Sequence, residues 1–144
     1  CGCGGADDAD TASQAQAVGP DLRFASPIVE MVVGPVVIPV ALGATFSVPC
    51  NTSGFRGRYK YVNSGTAGAG AHANRSHVAG SAAYTFAQLP LAAGVGRAAW
   101  ASFGPVVAAN TPTLLAIRLD SGLAVVETVE GNNAWSAKVI RKCP

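Results

Sequence analysis

Oxygen-bearing side chains are concentrated near the C-terminus, around the stretch VVETVEGNNAW. Loop carboxylates and amides suit calcium, which takes about six to eight oxygen ligands in a flexible geometry. A calcium site would draw on the following side chains: Asp120, Glu127, Glu130, Asn132 and Asn133. Alternatively the segment is a turn, in which the asparagines bond to nearby backbone and the glutamates accept hydrogen bonds from loop amides. We favour the turn, and calcium is the one cofactor that the sequence suggests.

The same carboxylates would be the starting point for general acid–base catalysis. That chemistry needs a cleft, two separated pKa values and a rim that binds substrate, and the sequence offers no second catalytic set. His72 and His77 stand five residues apart in an expected edge strand or loop, and along a strand this spacing places them on opposite faces. Ser76 beside His77 makes no triad. We therefore predict ordinary surface histidines and no enzymatic activity.

The chain has four cysteines, Cys1, Cys3, Cys50 and Cys143, and no C-x-x-C pair of the kind that holds zinc. An even number of cysteines in a small chain with few charges indicates disulfides and an oxidising compartment. Four cysteines allow three pairings. We favour Cys50 with Cys143, which would join a mid-chain insertion to the last strand.

Cys1 and Cys3 lie in CGCGGADDAD, a stretch of small and acidic residues. This beginning resembles a processed bacterial lipoprotein, in which the first cysteine carries lipid and the next residues form a tether. Two alternatives stay open, namely disulfides between copies of the chain and a bond between Cys1 and Cys3. Membrane contact is expected only through such a lipid anchor. The most apolar run, residues 27–43, is interrupted by prolines and Glu30 and is too broken to cross a bilayer.

Charge is unevenly distributed along the chain. The first 21 residues contain four aspartates and no base, whereas the remainder has ten Lys and Arg against four acids, a balance of about +6. This asymmetry either steers the tail of one copy onto the body of another or leaves a solvated acidic leader. The basic residues are scattered and do not alternate with aromatic residues, so we predict no nucleic-acid binding.

Chain breakers and period-2 patterns predict an all-β fold. Gly and Pro number 17 and 9, and charged residues are only 12%. Short alternating runs bounded by turn residues follow one another from Pro20 onward. In ATFSV, Phe46 and Val48 fall on one face, and in RYKYV, Tyr59 and Tyr61 do the same. We predict a single antiparallel β-sandwich of about seven strands over residues 20–144, after a low-complexity tail over residues 1–19. The runs are LRFASP, IVEMVV, VVIPVA, ATFSV, RYKYV, AAYTFAQL, GRAAWASFG, TLLAIRLD, LAVVETV and AWSAKVIRK.

Three further features bear on interactions. Trp100, Phe103 and Trp135 are expected in the core or at its rim, with binding of a glycan or a protein as the alternative. Residues 28–42 would form a long sheet edge, on which Pro35 and Pro39 either block pairing or fix where a neighbouring strand docks. The segment PCNTSGFRG would be a bulge or hairpin tip that Cys50 pins.

Three turn motifs follow in order, YVNSGTAGAG, QLPLAAGVGRAAWASF and LAVVETVEGNNAWSAKVI. Together they resemble CARDB, the cell-adhesion-related domain found in bacteria, over about residues 20–142. The resemblance implies an immunoglobulin-like sandwich and allows a cation site, and the third motif is its most specific part. The matching positions are Asn63, Gly65, Thr66 and Ala67; Leu91, Ala93 and Gly94; and Asp120, Val125, Glu127, Glu130, Asn132 and Asn133.

The chain departs from the CARDB pattern in its cysteine insertion and in the longer, proline-rich segment over residues 27–43. A single module would act through its tail, its sheet edges or its partners. We expect a non-catalytic structural or adhesion subunit at a bacterial cell surface or outside the cell. It would assemble with other copies into a filament or surface layer. The alternative is a lipid-anchored surface lipoprotein that binds a protein or a glycan.

Overall fold

The computed structural model describes residues 19–120 and 133–144. These residues form ten strands in two sheets, and none of them lies in a helix long and apolar enough to cross a membrane. The strands are β1 (Leu22–Phe24), β2 (Ile28–Val33), β3 (Val36–Ala41), β4 (Thr45–Pro49), β5 (Phe55–Asn63), β6 (His72–Val78), β7 (Tyr84–Gln88), β8 (Gly96–Phe103), β9 (Thr113–Arg118) and β10 (Ala134–Lys142).

The first sheet is built around β5. Strand β8 pairs with one edge of β5 along residues 55–62. Strands β1 and β2 share the opposite edge, at residues 61–63 and 56–58. A two-residue turn, Gly34–Pro35, leads from β2 into β3, which closes the sheet on that side. Gly34 has φ 58°, which suits glycine at the first central position of a type II′ hairpin turn.

The second sheet has the order β4-β10-β9-β6-β7. All its pairs are antiparallel except β4 with β10, which run parallel. The chain therefore leaves β4 in the second sheet and crosses to β5 in the first. The segment around Cys50 is this crossover, so the predicted bulge or hairpin tip within one long strand is wrong.

The core lies between the two sheets and follows the period-2 pattern of the strands. In β5 the odd-numbered residues point inward, and Tyr59 and Tyr61 are almost fully buried. Trp135 of β10 is 1% exposed, and its indole nitrogen donates a hydrogen bond to the Pro27 carbonyl at 2.9 Å. Phe103 is likewise in the core, as predicted. Trp100 instead lies on the outer face and is 43% exposed.

The all-β sandwich predicted from sequence is confirmed. The described strands number ten against the predicted seven, and nine of them coincide with the alternating runs. The tenth, β6, is covered by none of those runs. Strand β6 was expected to be an edge or a loop, yet it pairs with both β7 and β9. The predicted run LAVVETV and residues 1–18 of the predicted tail over residues 1–19 lie outside the described residues.

Candidate functional site

The predicted calcium ligands are only partly described. Asp120 and Asn133 are both buried, at the end of β9 and the start of β10. The Leu119 amide donates to the Asn133 carbonyl at 2.8 Å, which holds the two ends together. Glu127, Glu130 and Asn132 lie outside the described residues. Within the described ranges no group of three or more His, Cys, Asp or Glu side chains comes together, and the calcium site stays a prediction.

Asp120 has a structural role that the sequence did not indicate. Its backbone adopts φ 51°, and its amide donates to Asn74 Oδ1 at 3.0 Å. The side-chain nitrogen Nδ2 of Asn74 in turn donates to the Tyr59 hydroxyl at 2.8 Å. Burial raises the pKa of Tyr59 well above its ordinary value. This buried chain of hydrogen bonds joins the second sheet to the first.

His72 is not a surface histidine, so that prediction is wrong. Strand alternation turns it inward, where it is 5% exposed. One ring nitrogen contacts the Tyr61 hydroxyl at 2.9 Å, and the other contacts the Gly70 carbonyl at 2.8 Å. His77 is half-buried on the opposite face of β6, as the odd spacing predicted. The two histidines therefore share no site.

Tyr61, His72 and Arg97 form a polar cluster at one end of the sandwich. Arg97 donates to the Tyr61 hydroxyl at 3.1 Å and to the Leu89 and Pro90 carbonyls at 2.7 and 2.9 Å. Burial raises the pKa of Tyr61, and the neighbouring guanidinium partly offsets that rise. Because Arg97 donates hydrogen bonds to these loop carbonyls, the cluster holds the loop before β8 in place.

Asn63 joins the first two CARDB-like motifs. Its Oδ1 accepts from the amides of Asp21 at 3.0 Å and Gly65 at 3.1 Å. Its Nδ2 donates to the carbonyls of Ala67 at 2.8 Å and Leu91 at 3.1 Å. The side chain is fully buried. One asparagine thus satisfies four backbone groups from three segments and fixes two turns to the start of β1.

Ser76 is also structural. It is 2% exposed, donates to the Ser102 carbonyl at 2.6 Å and accepts from the Ser102 amide at 3.1 Å. The hydroxyl therefore links β6 to β8 across the sandwich. Together with Asn63, Asn74 and His72, it shows that these buried polar side chains connect strands and turns.

The outer face of the first sheet has the clearest charge pattern. Arg56, Arg58 and Lys60 alternate along β5 and are all exposed. Arg23 lies beside Val62 in the same face, and Glu30 lies directly opposite Arg58. Four cations less one carboxylate give this face a charge of about +3. We call these five residues, with Trp100, the basic face.

Trp100 orients one of the cations. It lies opposite Arg58 in the register, and the Arg56 guanidinium sits 4.6 Å from the centre of its ring. Arginine stacks on aromatic rings while keeping its donors available for carboxylates. A shallow depression of about 380 Å³ lies on the β2 side of β5, and it is lined by Ser26, Ile28, Glu30, Arg58 and Lys60.

The sequence interpretation missed this face because it treated the basic residues as scattered. The signal is present in FRGRYKYV, where positions 56, 58 and 60 are basic and the intervening positions are buried. Period-2 alternation places such residues on one face. The pairing of β5 with β8 then brings Trp100 beside them, and that contact could not be read from spacing alone.

Among the described strands, β3 pairs only with β2, and the prolines of this hairpin shape its other edge. The Leu42 amide donates to the Pro27 carbonyl at 2.8 Å, so these two residues form a hydrogen-bonded pair. Such pairs alternate along an antiparallel ladder, and Pro39, opposite Glu30, falls on a non-bonded pair. Its ring nitrogen therefore points outward and removes a donor from the edge. The side chains of Val36, Val37 and Leu42 are more than half exposed there.

The predicted Cys50–Cys143 disulfide is present, with Cα atoms 4.7 Å apart and 93 residues of separation. It ties the crossover after β4 to the end of β10. Arg141 donates to the Cys50 carbonyl at 3.2 Å and to the Val106 carbonyl at 2.8 Å. Arg141 therefore connects the disulfide to the loop before β9. Cys1 and Cys3 lie outside the described residues.

These features define an immunoglobulin-like β-sandwich in which the buried side chains of Asn63, His72, Asn74 and Ser76 link strands and turns. No protein-family model matches the chain, and no curated protein matches it in sequence. Solved structures do match. The CARDB domain of a Pyrococcus furiosus protein, crystallised in complex with di-metal ions, is 18% identical, with a TM-score of 0.52 over 85% of this chain and 96% of that one.

Two solution structures agree with this result. A solution structure of the same Pyrococcus domain is 18% identical, with a TM-score of 0.57 over 85% of this chain and 97% of that one. A domain of a candidate cell surface protein from Methanosarcina acetivorans is 22% identical, with a TM-score of 0.58 over 86% of this chain and 93% of that one. The chain has the fold of a CARDB domain, which confirms at the level of fold the resemblance inferred from its three motifs.

Proposed function

We propose that this protein is a non-catalytic structural or adhesion module at a cell surface or outside the cell. The Cys50–Cys143 disulfide is the observation that carries the proposal, because disulfides form and persist in oxidising compartments. The likeness to a domain of a candidate cell surface protein supports it. So does the use of His72, Ser76 and Asn74 as links within the fold.

The state of the two cysteines in living cells tests the compartment. Free thiols are blocked with an alkylating reagent at the moment of lysis, and the peptides containing Cys50 and Cys143 are then analysed without reduction. We expect the disulfide-linked peptide pair. Alkylated Cys50 and Cys143 as the dominant species would contradict an oxidising location.

We further propose that copies of the chain associate through the acidic leader and the β3 edge. The exposed side chains of Val36, Val37 and Leu42 support contact through side chains at this edge. Pro39 leaves a gap in any backbone ladder there, so side-chain packing would dominate. In sedimentation velocity, Val37→Lys should lower the association constant, whereas Val107→Lys, on an exposed loop residue, should not. A protein that is monomeric at all concentrations would exclude this association.

The lipid anchor is the alternative route to the surface. Cys1 would carry the lipid, and the module would bind a protein or glycan partner while tethered. Intact-mass measurement of the protein from its native membranes decides between the two arrangements. An acyl mass on the peptide beginning at Cys1 favours the anchor, and oligomers that disappear with reductant favour disulfides through Cys1 or Cys3.

The calcium site is retained as a proposal on Asp120, Glu127, Glu130 and Asn132. The Pyrococcus furiosus domain of the same fold was crystallised with di-metal ions, which supports a cation site in this fold. Calcium bound to the native state alone would raise the melting temperature. Calorimetric titration of the EDTA-treated protein should show binding that Glu127→Gln and Glu130→Gln remove. No heat of binding in the unaltered protein would end the proposal.

A further inference from the structure

The basic face presents its cations as a row of fixed spacing. Residues that alternate on one face of a strand lie about 6.7 Å apart, so Arg56, Arg58 and Lys60 span roughly 13 Å along β5. A compact anion would engage one of these side chains, whereas a linear polyanion lying along the strand would engage all three. The charge of about +3 on the basic face favours such a polyanion and steers it towards β5.

Arg56 indicates which anionic group suits the row. Its guanidinium is stacked on Trp100 at 4.6 Å, and this contact reduces the conformational freedom that binding would otherwise remove. A planar guanidinium matches the two oxygens of a carboxylate through parallel N–H···O bonds. Arg58, which lies opposite Trp100 in the register, extends the same donor surface.

The depression beside the row adds groups that a purely anionic polymer does not need. Glu30 supplies a carboxylate acceptor, Ser26 a hydroxyl and Ile28 an apolar surface that is 47% exposed. The Glu30 carboxylate repels any anionic group placed beside it, a sugar carboxylate included, but it accepts hydrogen bonds from hydroxyl groups. A sugar ring that carries a carboxylate brings acidic oxygens, hydroxyl donors and an apolar C–H surface together.

Nucleic acid fits the face less well. Proteins that bind single strands without sequence preference stack successive bases on several aromatic side chains. The basic face has one exposed aromatic residue, Trp100, and the Arg56 guanidinium already lies over its ring.

We propose that the basic face binds an acidic polysaccharide whose sugars carry carboxylates beside free hydroxyls. Arg56, Arg58 and Lys60 would engage successive carboxylates, and Glu30 with Ser26 would receive the hydroxyl groups of one ring. The inference rests on the proposed location outside the cell, where such a polymer is accessible, and it names the partner of an adhesion module.

Polygalacturonate is the probe, titrated into the full chain by calorimetry with neutral dextran as the control polymer. Binding should weaken as salt rises, because exposed ion pairs are screened. The triple variant Arg56→Gln, Arg58→Gln and Lys60→Gln should lose about tenfold or more in affinity, since three exposed ion pairs are removed.

A matched triple variant controls for total charge. It replaces three exposed cations on the outer face of the second sheet, namely Arg75→Gln, Arg118→Gln and Lys138→Gln. This variant has the same net charge as the first and should retain binding within about twofold, the small long-range effect of lost charge at physiological salt. Equal losses in the two triple variants would overturn the assignment to the basic face.

Glu30→Ala separates a glycan site from a merely basic surface. Removing a carboxylate raises the charge of the face, so any polyanion held by charge alone should bind more tightly. A hydroxyl acceptor is lost at the same time, so polygalacturonate should bind about threefold or more weakly. Tighter binding of polygalacturonate to Glu30→Ala would overturn the proposal.

Competing occupants are tested with the same calorimeter. Poly-glutamate or a single-stranded oligonucleotide that binds as tightly as polygalacturonate would overturn the choice of a glycan. A peptide of residues 1–18 that binds more tightly than polygalacturonate would assign the face to the acidic leader and overturn it as well. A lack of polygalacturonate binding would not change the result of the thiol-alkylation experiment on Cys50 and Cys143. The glycan proposal and the proposed location outside the cell can therefore be refuted independently.

Discussion

Replacement of Asn63 by alanine probes the residue that connects the most segments of the sandwich. The change leaves two amides and two carbonyls, from Asp21, Gly65, Ala67 and Leu91, without the side chain that bonds them. Each intramolecular hydrogen bond contributes about 1 kcal/mol net. The Ala67 carbonyl is only partly buried and can recover water, so we expect a loss of about 3–4 kcal/mol rather than the full sum.

Thermal unfolding measures this loss. A chain of this size loses about 3 °C in melting temperature per kcal/mol, so Asn63→Ala should melt about 10 °C lower. Asn74→Ala, which removes two such hydrogen bonds, should lose about half as much. Thr66→Ala, at an exposed position in the same turn, should change the melting temperature by about 1 °C. If Asn63→Ala melts no lower than Thr66→Ala, the hydrogen bonds of Asn63 do not determine the stability of these turns.

Three further perturbations test other parts of the fold by thermal or denaturant unfolding. Gly65→Ala should destabilise the fold by about 2–3 kcal/mol, because an added Cβ would lie 1.8 Å from the Gly19 carbonyl oxygen. An unchanged midpoint of unfolding would contradict that close approach. Replacing Cys50 and Cys143 together by serine should cost about 4–5 kcal/mol in the chain-entropy description of a loop this long, and a loss under about 1 kcal/mol would mean that the disulfide constrains little. Burial raises the pKa of Tyr59 and Tyr61 in the folded protein. Their contribution to stability is therefore fully present below about pH 10 and is lost above it, because the tyrosines of the unfolded chain ionise first. A free energy of unfolding that rises between about pH 10 and 11 would contradict this sign.

Period-2 patterns predicted the faces of the strands because a pleated strand places alternate residues on opposite sides. In RYKYV they correctly put Tyr59 and Tyr61 on one face, and in ATFSV they did so for Phe46 and Val48. The same rule would have revealed the basic face, had the outward positions of β5 been compared with each other. The Cys50–Cys143 disulfide was also predicted correctly, although Cys50 lies in the crossover after β4 and not in an insertion within one strand.

Features that depend on which strands become neighbours could not be predicted in this way. His72 is buried because Tyr61, eleven residues earlier and in the other sheet, supplies a partner for its ring. The segment around Cys50 looks like an interruption within one strand, yet β4 pairs with β10 and β5 pairs with β8. Gly65 was identified only as part of a turn motif, but a glycine is needed there because the Gly19 backbone lies where a Cβ would be.

Exposure of the folded protein on intact cells tests the proposed function most directly. A membrane-impermeant amine reagent is applied to living cells, and its adducts on Lys60, Lys138 and Lys142, which are all exposed, are quantified by mass spectrometry against a lysed control. We predict that intact cells give nearly the same labelling as lysed cells, or that the labelled protein is recovered from the medium. Labelling that appears only after lysis would contradict a module at the cell surface or outside the cell.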